Sequence, residues 1–172
     1  MENKTLVNRI AQSGLITLKP EEFFPELSVY AFDLKDFLFH GLILKEKDFR
    51  MAVRDFNWED VRDRDLVIFC SADAIIPMWA YMLVVSKAQG IARNIFIGSE
   101  ENFIERMIEA ELDKVDFAAY QDQKIVIKGC SDRPLPPSLY GQITGRLMPY
   151  AQSIMYGEPC STVPIFKRKR KL

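Results

Sequence analysis

Hydrophobic and polar positions follow two different patterns in the first third of this chain. Between residues 16 and 44 apolar residues alternate with polar ones, which predicts two or three strands with an antiparallel arrangement. Residues 46–56 have their apolar positions at helical spacing, and residues 4–13 show the same spacing before a glycine. We therefore predict an N-terminal β-rich extension over residues 1–45, with a short helix on each side of the strands.

Residues 116–157 repeat the plan of residues 57–98 at a spacing of 59 residues. Without gaps, nine of the 42 paired positions are identical, where average composition would give about two or three. Each copy has an apolar run, a polar loop with a cysteine, a proline at the start of a helical stretch and a second short strand. The spacing predicts an internal duplication. The identical pairs are Asp63/Asp122, Val67/Val126, Ile68/Ile127, Asp73/Asp132, Pro77/Pro136, Tyr81/Tyr140, Ala92/Ala151, Ile95/Ile154 and Gly98/Gly157.

The order of elements in each copy predicts the fold class. A strand, a helix and a second strand form a βαβ unit, whose two strands are parallel because the connection is long. Residues 99–113 form an amphipathic helix that joins the copies. The predicted fold is α/β, a layered domain with a mainly parallel sheet built from two duplicated βαβ units, plus the N-terminal extension. We expect a single domain over residues 1–172 in which both halves share one sheet.

Composition and charge exclude several classes of protein. Hydrophobic residues make up 48% and charged residues 27%, as in ordinary globular proteins. The longest uncharged apolar stretch contains Pro77 and is shorter than the roughly 18 residues of a membrane span, so we expect no membrane association. A basic tail over residues 167–172 follows an acidic body, which argues against nucleic acid. The first residues do not have the pattern of a signal peptide, and only three cysteines are present, so we expect a cytoplasmic protein without a signal peptide.

The three cysteines are the candidate functional residues. Cys70 and Cys130 close the first strand of each copy, and Cys160 follows the last predicted strand. Ligands bind at the carboxyl ends of the strands in open α/β sheets, so these thiols are expected at one edge. Three thiols suit iron, zinc or an iron–sulfur cluster, and we predict such a metal site. Inert burial and a reactive thiol are the alternatives.

Other chemically suggestive residues have structural interpretations. His40, the single histidine, lies in an apolar run and is interpreted as a strand residue. Trp79, Tyr81 and Met82 are interpreted as part of a helix face in the core, and the carboxylates around Asp65 as a solvated turn. No glycine-rich phosphate loop is present. We expect no catalytic residue.

Four stretches of the chain resemble a family known as domain of unknown function 2480. They are Leu42–Arg50, Cys70–Met82, Val126–Cys130 and Ser153–Ile165. The resemblance covers essentially the whole chain and implies a bacterial, cytoplasmic protein with no assigned activity. It also implies that Cys70, Cys130 and Cys160 belong to the family pattern, and it suggests a link to genes for iron–sulfur cluster assembly.

The leading hypothesis is a cytoplasmic accessory protein that binds a metal ion or an iron–sulfur cluster through Cys70, Cys130 and Cys160. We expect it to work with iron–sulfur assembly proteins rather than as an independent enzyme. One alternative is a thiol-based sulfur relay that carries persulfide. Another is a non-catalytic interaction scaffold with buried structural cysteines and an exposed apolar patch around Trp79 or residues 134–137. The oligomeric state is left open.

Overall fold

The structure is a computed structural model, which describes residues 14–169. That part of the chain contains seven strands, four α-helices and four short 3₁₀ helices. The predicted helix over residues 4–13 and the end of the basic tail lie outside the described residues. The strands are β1 (Leu15–Leu18), β2 (Val29–Asp33), β3 (Asp65–Phe69), β4 (Asn94–Ile97), β5 (Lys124–Lys128), β6 (Ser153–Glu158) and β7 (Ser161–Lys167). The α-helices are α1 (Glu46–Asp55), α2 (Met78–Ala88), α3 (Glu100–Leu112) and α4 (Pro137–Leu147).

The described chain divides into two compact units. The continuous unit runs from Glu26 to Arg106, and the split unit combines the described residues up to Pro25 with those from Met107 onward. Each unit has its own sheet, with strand order β2-β3-β4 in the continuous unit and β1-β5-β6-β7 in the split unit. The α/β class and the mostly parallel pairing are confirmed, but the expectation of one shared sheet is wrong. A single domain over residues 1–172 stays a prediction.

The continuous unit is a parallel three-stranded sheet with helices α1 and α2. Strand β3 is its central strand, and its continuous apolar run is typical of a strand that is covered on both faces. Phe49 and Val53 are buried one turn apart on α1, and α2 buries Ala80 and Val84 at the same spacing. The buried core residues are Phe32, Leu34, Leu44, Phe49, Val53, Val61, Leu66, Ile68, Ile76, Ala80, Val84 and Ala88.

The split unit begins with β1 and resumes after the continuous unit. Its strands β1, β5 and β6 are parallel, and β7 returns antiparallel to β6 after a two-residue turn. Leu139, Ile143 and Leu147 are fully buried at four-residue spacing on α4, which gives this helix one apolar face. The parallel pairs β3–β4 and β5–β6 agree with the strand directions that the two βαβ patterns predict.

Elements of the same type recur at a spacing of 59 residues in the two units. Asp63 and Asp122 both have φ of 57°. Their backbone N–H groups donate to the carbonyls of Ile91 and Tyr150, which are separated by the same interval. The matched elements are Trp58–Val61 with Phe117–Tyr120, Asp65–Phe69 with Lys124–Lys128, and Met78–Ala88 with Pro137–Leu147.

The N-terminal β-rich extension does not form an antiparallel sheet of its own. Strand β1 pairs in parallel with β5, and β2 pairs in parallel with β3. Alternation of apolar and polar residues indicates a strand but not its partner, because partners distant in sequence decide the pairing. The strand assignment of His40 is also wrong. This residue has φ of 51° and lies exposed at a turn between Phe39 and Ile43, which form an isolated antiparallel bridge.

A carboxylate is buried at the amino end of the central strand β3, contrary to the predicted solvated turn. Asp65 has no solvent exposure, and it accepts hydrogen bonds from Asn94 Nδ2 at 2.8 Å and from the backbone N–H of Ser28 at 3.1 Å. Arg93 forms an ion pair with the same carboxylate. Burial acts to raise the pKa of Asp65, but these three partners outweigh it and lower the pKa. This Asp65 cluster (Asp65, Arg93, Asn94 and Ser28) links β3 to both neighbouring strands.

Helix α4 contains two glycines that its packing does not require. A Cβ on Gly141 or on Gly145 would have no contact within 4 Å. We expect Gly141→Ala to raise the free energy of unfolding by about 0.5–1 kcal/mol, because alanine loses less conformational entropy on entering a helix. Urea unfolding followed by circular dichroism measures this change. A decrease in stability would show that Gly141 has a packing role.

Candidate functional site

The carboxyl edge of the split unit's sheet brings together residues from three parallel strands. Leu18, Ile127 and Tyr156 lie side by side across β1, β5 and β6. Glu21 and Cys130 follow the ends of β1 and β5 within three residues, and Glu158 is the last residue of β6. We call this region the carboxyl-edge site.

Tyr140 lies at the centre of the carboxyl-edge site. Its ring meets the ring of Tyr156 edge to face, with 5.9 Å between the centroids. Burial is the largest cause that raises the pKa of Tyr140. Tyr156, Glu21 and Cys130 raise this pKa further, because nearby negative charge disfavours a phenolate. Tyr140 therefore keeps its proton at neutral pH and can donate a hydrogen bond.

The backbone beside Cys130 allows Tyr156 to approach closely. A Cβ on Gly129 would lie 3.0 Å from both Cζ and Oη of Tyr156, so a larger residue would displace this side chain. Cys130 itself is an exposed free cysteine. Arg133 borders the same loop, with its guanidinium 4.5 Å from the centroid of the Phe24 ring. The site thus combines a reachable thiol with two phenols.

Three buried polar atoms have no hydrogen-bond partner among residues 14–169. They are Oε2 of Glu21, Oγ of Ser138 and Oε1 of Glu158. Ser138 belongs to the first turn of α4, which begins at the carboxyl edge. Buried polar atoms in folded proteins nearly always have a partner, and each atom left without one costs about 1–3 kcal/mol. The three residues are therefore the candidate hydrogen-bonding groups of the carboxyl-edge site.

The continuous unit has a related pair of residues at its own carboxyl edge. Cys70 ends the run of β3, and it lines a cavity of about 300 Å³ with Tyr81, Gly98 and Ser99. Burial raises the pKa of Tyr81, and Cys70 adds to the effect. Each unit therefore places a cysteine next to a tyrosine of the following helix.

An aspartate holds the loop that carries Cys70. Asp33, at the end of β2, accepts hydrogen bonds from the backbone N–H of Ser71 at 3.0 Å and from its hydroxyl. Burial acts to raise the pKa of Asp33, but the bonds from Ser71 and the backbone of Lys35 outweigh it and lower the pKa. Asp33 is therefore ionised at neutral pH and fixes the start of the loop.

The predicted metal site is wrong. Cys70 follows a strand of the continuous unit's sheet, whereas Cys130 and Cys160 belong to the split unit's sheet. The prediction required one sheet edge for all three thiols, and the structure has two sheets. Within residues 14–169 no group of three or more His, Cys, Asp or Glu side chains could hold a metal ion. The predicted metal or iron–sulfur function is therefore wrong, because it required the three cysteines to bind one metal ion or cluster together.

The cysteines contradict one part of the scaffold alternative. That hypothesis expects buried structural cysteines, but Cys130 and Cys160 are exposed and Cys70 is half-buried. All three are free thiols.

The scaffold alternative also expects exposed apolar side chains around Trp79. Large apolar side chains are exposed close to Trp79, namely Ile75 (93% exposed), Met78 (70%) and Met82 (69%). The assignment of Met82 to the core is therefore wrong.

Sequence reasoning missed the tyrosines and the glutamates of the carboxyl-edge site. Tyr81 and Tyr140 are an identical pair at the 59-residue spacing, and in each unit a cysteine raises the pKa of this tyrosine. This identity is the signal in the sequence that points to them, and the interpretation of Tyr81 as part of a core-facing helix agrees with its packing against the core. Glu21 and Glu158 gave no such signal, because only the pairing of β1 and β6 with β5 brings them to one edge.

The fold and the site define a mixed α/β protein with two mostly parallel sheets and a cysteine–tyrosine pair at each carboxyl edge. The family model described as "Protein of unknown function (DUF2480)" matches residues 4–168, so the chain belongs to this family. No curated protein and no solved structure matches the chain. Among the described helices, none is both long and apolar enough to span a membrane.

Proposed function

We propose that the protein binds a small amine at the carboxyl-edge site of the split unit. The observation that carries this proposal is the set of three buried polar atoms without a partner, on Glu21, Ser138 and Glu158. Two of the three are carboxyl oxygens, which accept hydrogen bonds when ionised. A ligand that satisfies them must donate hydrogen bonds, and an ammonium group offers three donors.

The aromatic residues of the site also favour a cation. The face of a tyrosine ring attracts a positive charge, typically by about 0.5–2 kcal/mol. Tyr140 and Tyr156 lie edge to face in the site. Two carboxyl groups and two rings, set against the single positive charge of Arg133 beside Glu21, favour an amine over a neutral polyol or an anion. Cys130 is exposed beside Tyr140, so a bound ligand would cover its thiol.

Titration calorimetry with putrescine and ethanolamine tests this function. We expect Glu21→Gln to weaken amine binding at least tenfold, because a neutral amide replaces one of the two carboxyl groups. The matched control is Glu22→Gln, since Glu22 is exposed and pairs with Lys19 at 3.7 Å. The control is expected to bind as the wild type does.

Two results of the calorimetry would contradict the proposal. The first is the absence of measurable binding of either amine at concentrations up to about 10 mM. A dissociation constant above that concentration would be weaker than that of most specific sites. The second is equal loss of affinity in Glu21→Gln and Glu22→Gln, which would indicate a general charge effect. Glycerol and ribose serve as neutral probes, and binding of these without amine binding would overturn the amine assignment.

We also infer that the two units are copies of one βαβ plan. The common spacing of their elements and the shared cysteine–tyrosine pairs support this inference. In this interpretation the continuous unit is inserted in the sequence of its copy, between β1 and β5 of the split unit. The copies differ where β3 begins with Asp65 and β5 with Lys124.

A reducing environment suits the proposed site. The three cysteines are free, and a thiol at position 130 stays reduced where glutathione and thioredoxin act. We therefore propose a cytoplasmic location. Cell fractionation with detection of the protein in the membrane-free, reducing fraction supports it, and recovery from an oxidising compartment contradicts it.

A further inference from the structure

The amino edge of the split unit's sheet carries a second concave surface, on the side opposite the carboxyl-edge site. Its volume is about 1040 Å³, just above the usual range of about 300–1,000 Å³ for small-molecule sites. Four basic residues line it, namely Lys124, Lys167, Arg168 and Lys169. Among the described residues, no acidic side chain lines this surface. Met155, Pro164 and Phe166 supply an apolar floor. We call this surface the basic concavity.

The corresponding place in the continuous unit is filled by the protein's own carboxylate. Asp65 begins β3 and pairs across the sheet with Asn94, while Lys124 begins β5 and pairs with Ser153. In the Asp65 cluster the carboxylate is surrounded by donors from neighbouring residues. In the split unit a lysine stands at this place and faces solvent. An anion from outside the chain would therefore complete the basic concavity.

One cation of the basic concavity is held in a fixed position. Arg168 donates to the carbonyl of Pro149 at 2.9 Å and to that of Tyr150, and it forms an ion pair with Asp122. Its backbone N–H also bonds to the carbonyl of Gln152 at 2.9 Å. The first residues of the basic run are thus fixed to the sheet and do not form a free tail.

We propose that the basic concavity binds an organic phosphate. Its phosphate groups would contact Lys124, Lys167 and Lys169, and its apolar part would lie against Met155 and Phe166. Several cations around one surface favour a phosphate or diphosphate over a single carboxylate, because each additional ligand charge gains a partner. The apolar floor favours a ligand with an organic group over inorganic phosphate. This site is separate from the carboxyl-edge site, so it goes beyond the proposed amine binding.

Fluorescence or calorimetric titrations of the full chain with three probes test this inference. Adenosine diphosphate carries two phosphates and an aromatic group, dodecyl phosphate carries one phosphate and an alkyl chain, and inorganic pyrophosphate carries no organic group. We expect adenosine diphosphate or dodecyl phosphate to bind at least tenfold more tightly than pyrophosphate. The preferred probe then distinguishes a nucleotide-like from a lipid-like ligand. Binding should weaken as the salt concentration rises.

Substitutions at the two ends of β5 provide the matched comparison. Lys124→Asp introduces the carboxylate that the continuous unit carries at this place, and we expect at least a tenfold loss of affinity. Lys128→Gln removes a lysine from the opposite end of the same strand and should leave binding unchanged. Three results would overturn the proposal: no binding by either organic phosphate, affinity unaffected by Lys124→Asp, or equal losses in both variants. Circular dichroism confirms that each variant is folded.

Discussion

Replacing Asp65 with alanine (Asp65→Ala) will lower the free energy of unfolding by about 3 kcal/mol. The substitution removes the acceptor of the Asn94 and Ser28 hydrogen bonds and leaves Arg93 without its ion pair. It also removes the side-chain links between β3 and the amino ends of both neighbouring strands, while the backbone pairing remains. Urea unfolding at pH 7 measures this loss.

An exposed aspartate provides the control for Asp65→Ala. Asp55 also pairs with an arginine, Arg54, but both side chains are largely exposed. Solvent screens such a pair, so Asp55→Ala should cause a much smaller change than Asp65→Ala. Similar losses in the two variants would contradict the importance of burial at Asp65.

The lowered pKa of Asp65 also predicts how stability depends on pH. Because the folded protein holds this carboxyl ionised, its contribution is present above the unfolded pKa of about 3.9. The contribution is lost as the pH falls through the lower folded pKa. The stability difference between wild type and Asp65→Ala should therefore shrink below about pH 4. A difference that does not change between pH 7 and pH 3 would contradict this assignment.

The second large effect is expected for Gly157→Ala, near the end of β6. This residue has φ of +123°, a conformation that residues with a Cβ rarely adopt. A Cβ would also lie 2.5 Å from the backbone carbonyl oxygen of Ser161 in β7. Backbone strain and this clash together should lower the free energy of unfolding by about 3 kcal/mol. Thermal unfolding measures the loss.

Gly90→Ala separates strain from the clash. Gly90 has φ of +81°, but a Cβ there would meet nothing within 4 Å. We expect a loss of about 1 kcal/mol from strain alone. If Gly157→Ala is no more destabilising than Gly90→Ala, the backbone of Ser161 in β7 does not lie close enough to Gly157 to clash with a Cβ.

The local sequence pattern correctly predicted those strands and helices whose formation is decided by residues close together in the sequence. The apolar runs of β3 and β5 and the prolines before α2 and α4 marked strands and helices correctly, because propensity and periodicity act within a few residues. The pairing of β1 with β5 could not be predicted in this way. About 105 residues separate these strands, and burial across the whole unit decides which strands pair.

The sequence predicted where the cysteines lie in the fold, but the metal binding that it predicted for them is wrong. Cys70 and Cys130 lie just after the carboxyl ends of predicted strands, as the sequence pattern indicated. The metal prediction was wrong because it depended on one sheet, a property of long-range pairing. The polar atoms of Glu21 and Glu158 could not be found, since burial without a partner is visible only in three dimensions.

The rate at which iodoacetamide alkylates Cys130, compared with Cys70, tests amine binding at the carboxyl-edge site most directly. Cys130 is an exposed free thiol on the split unit, and Cys70 is a half-buried free thiol of the continuous unit, so Cys70 serves as an internal control. Peptide mass spectrometry under reducing conditions should show that saturating putrescine slows alkylation of Cys130 several-fold and leaves the rate at Cys70 unchanged. The protection should be lost in Glu21→Gln. Unchanged rates at both thiols, or equal slowing of both, would contradict an amine site beside Cys130.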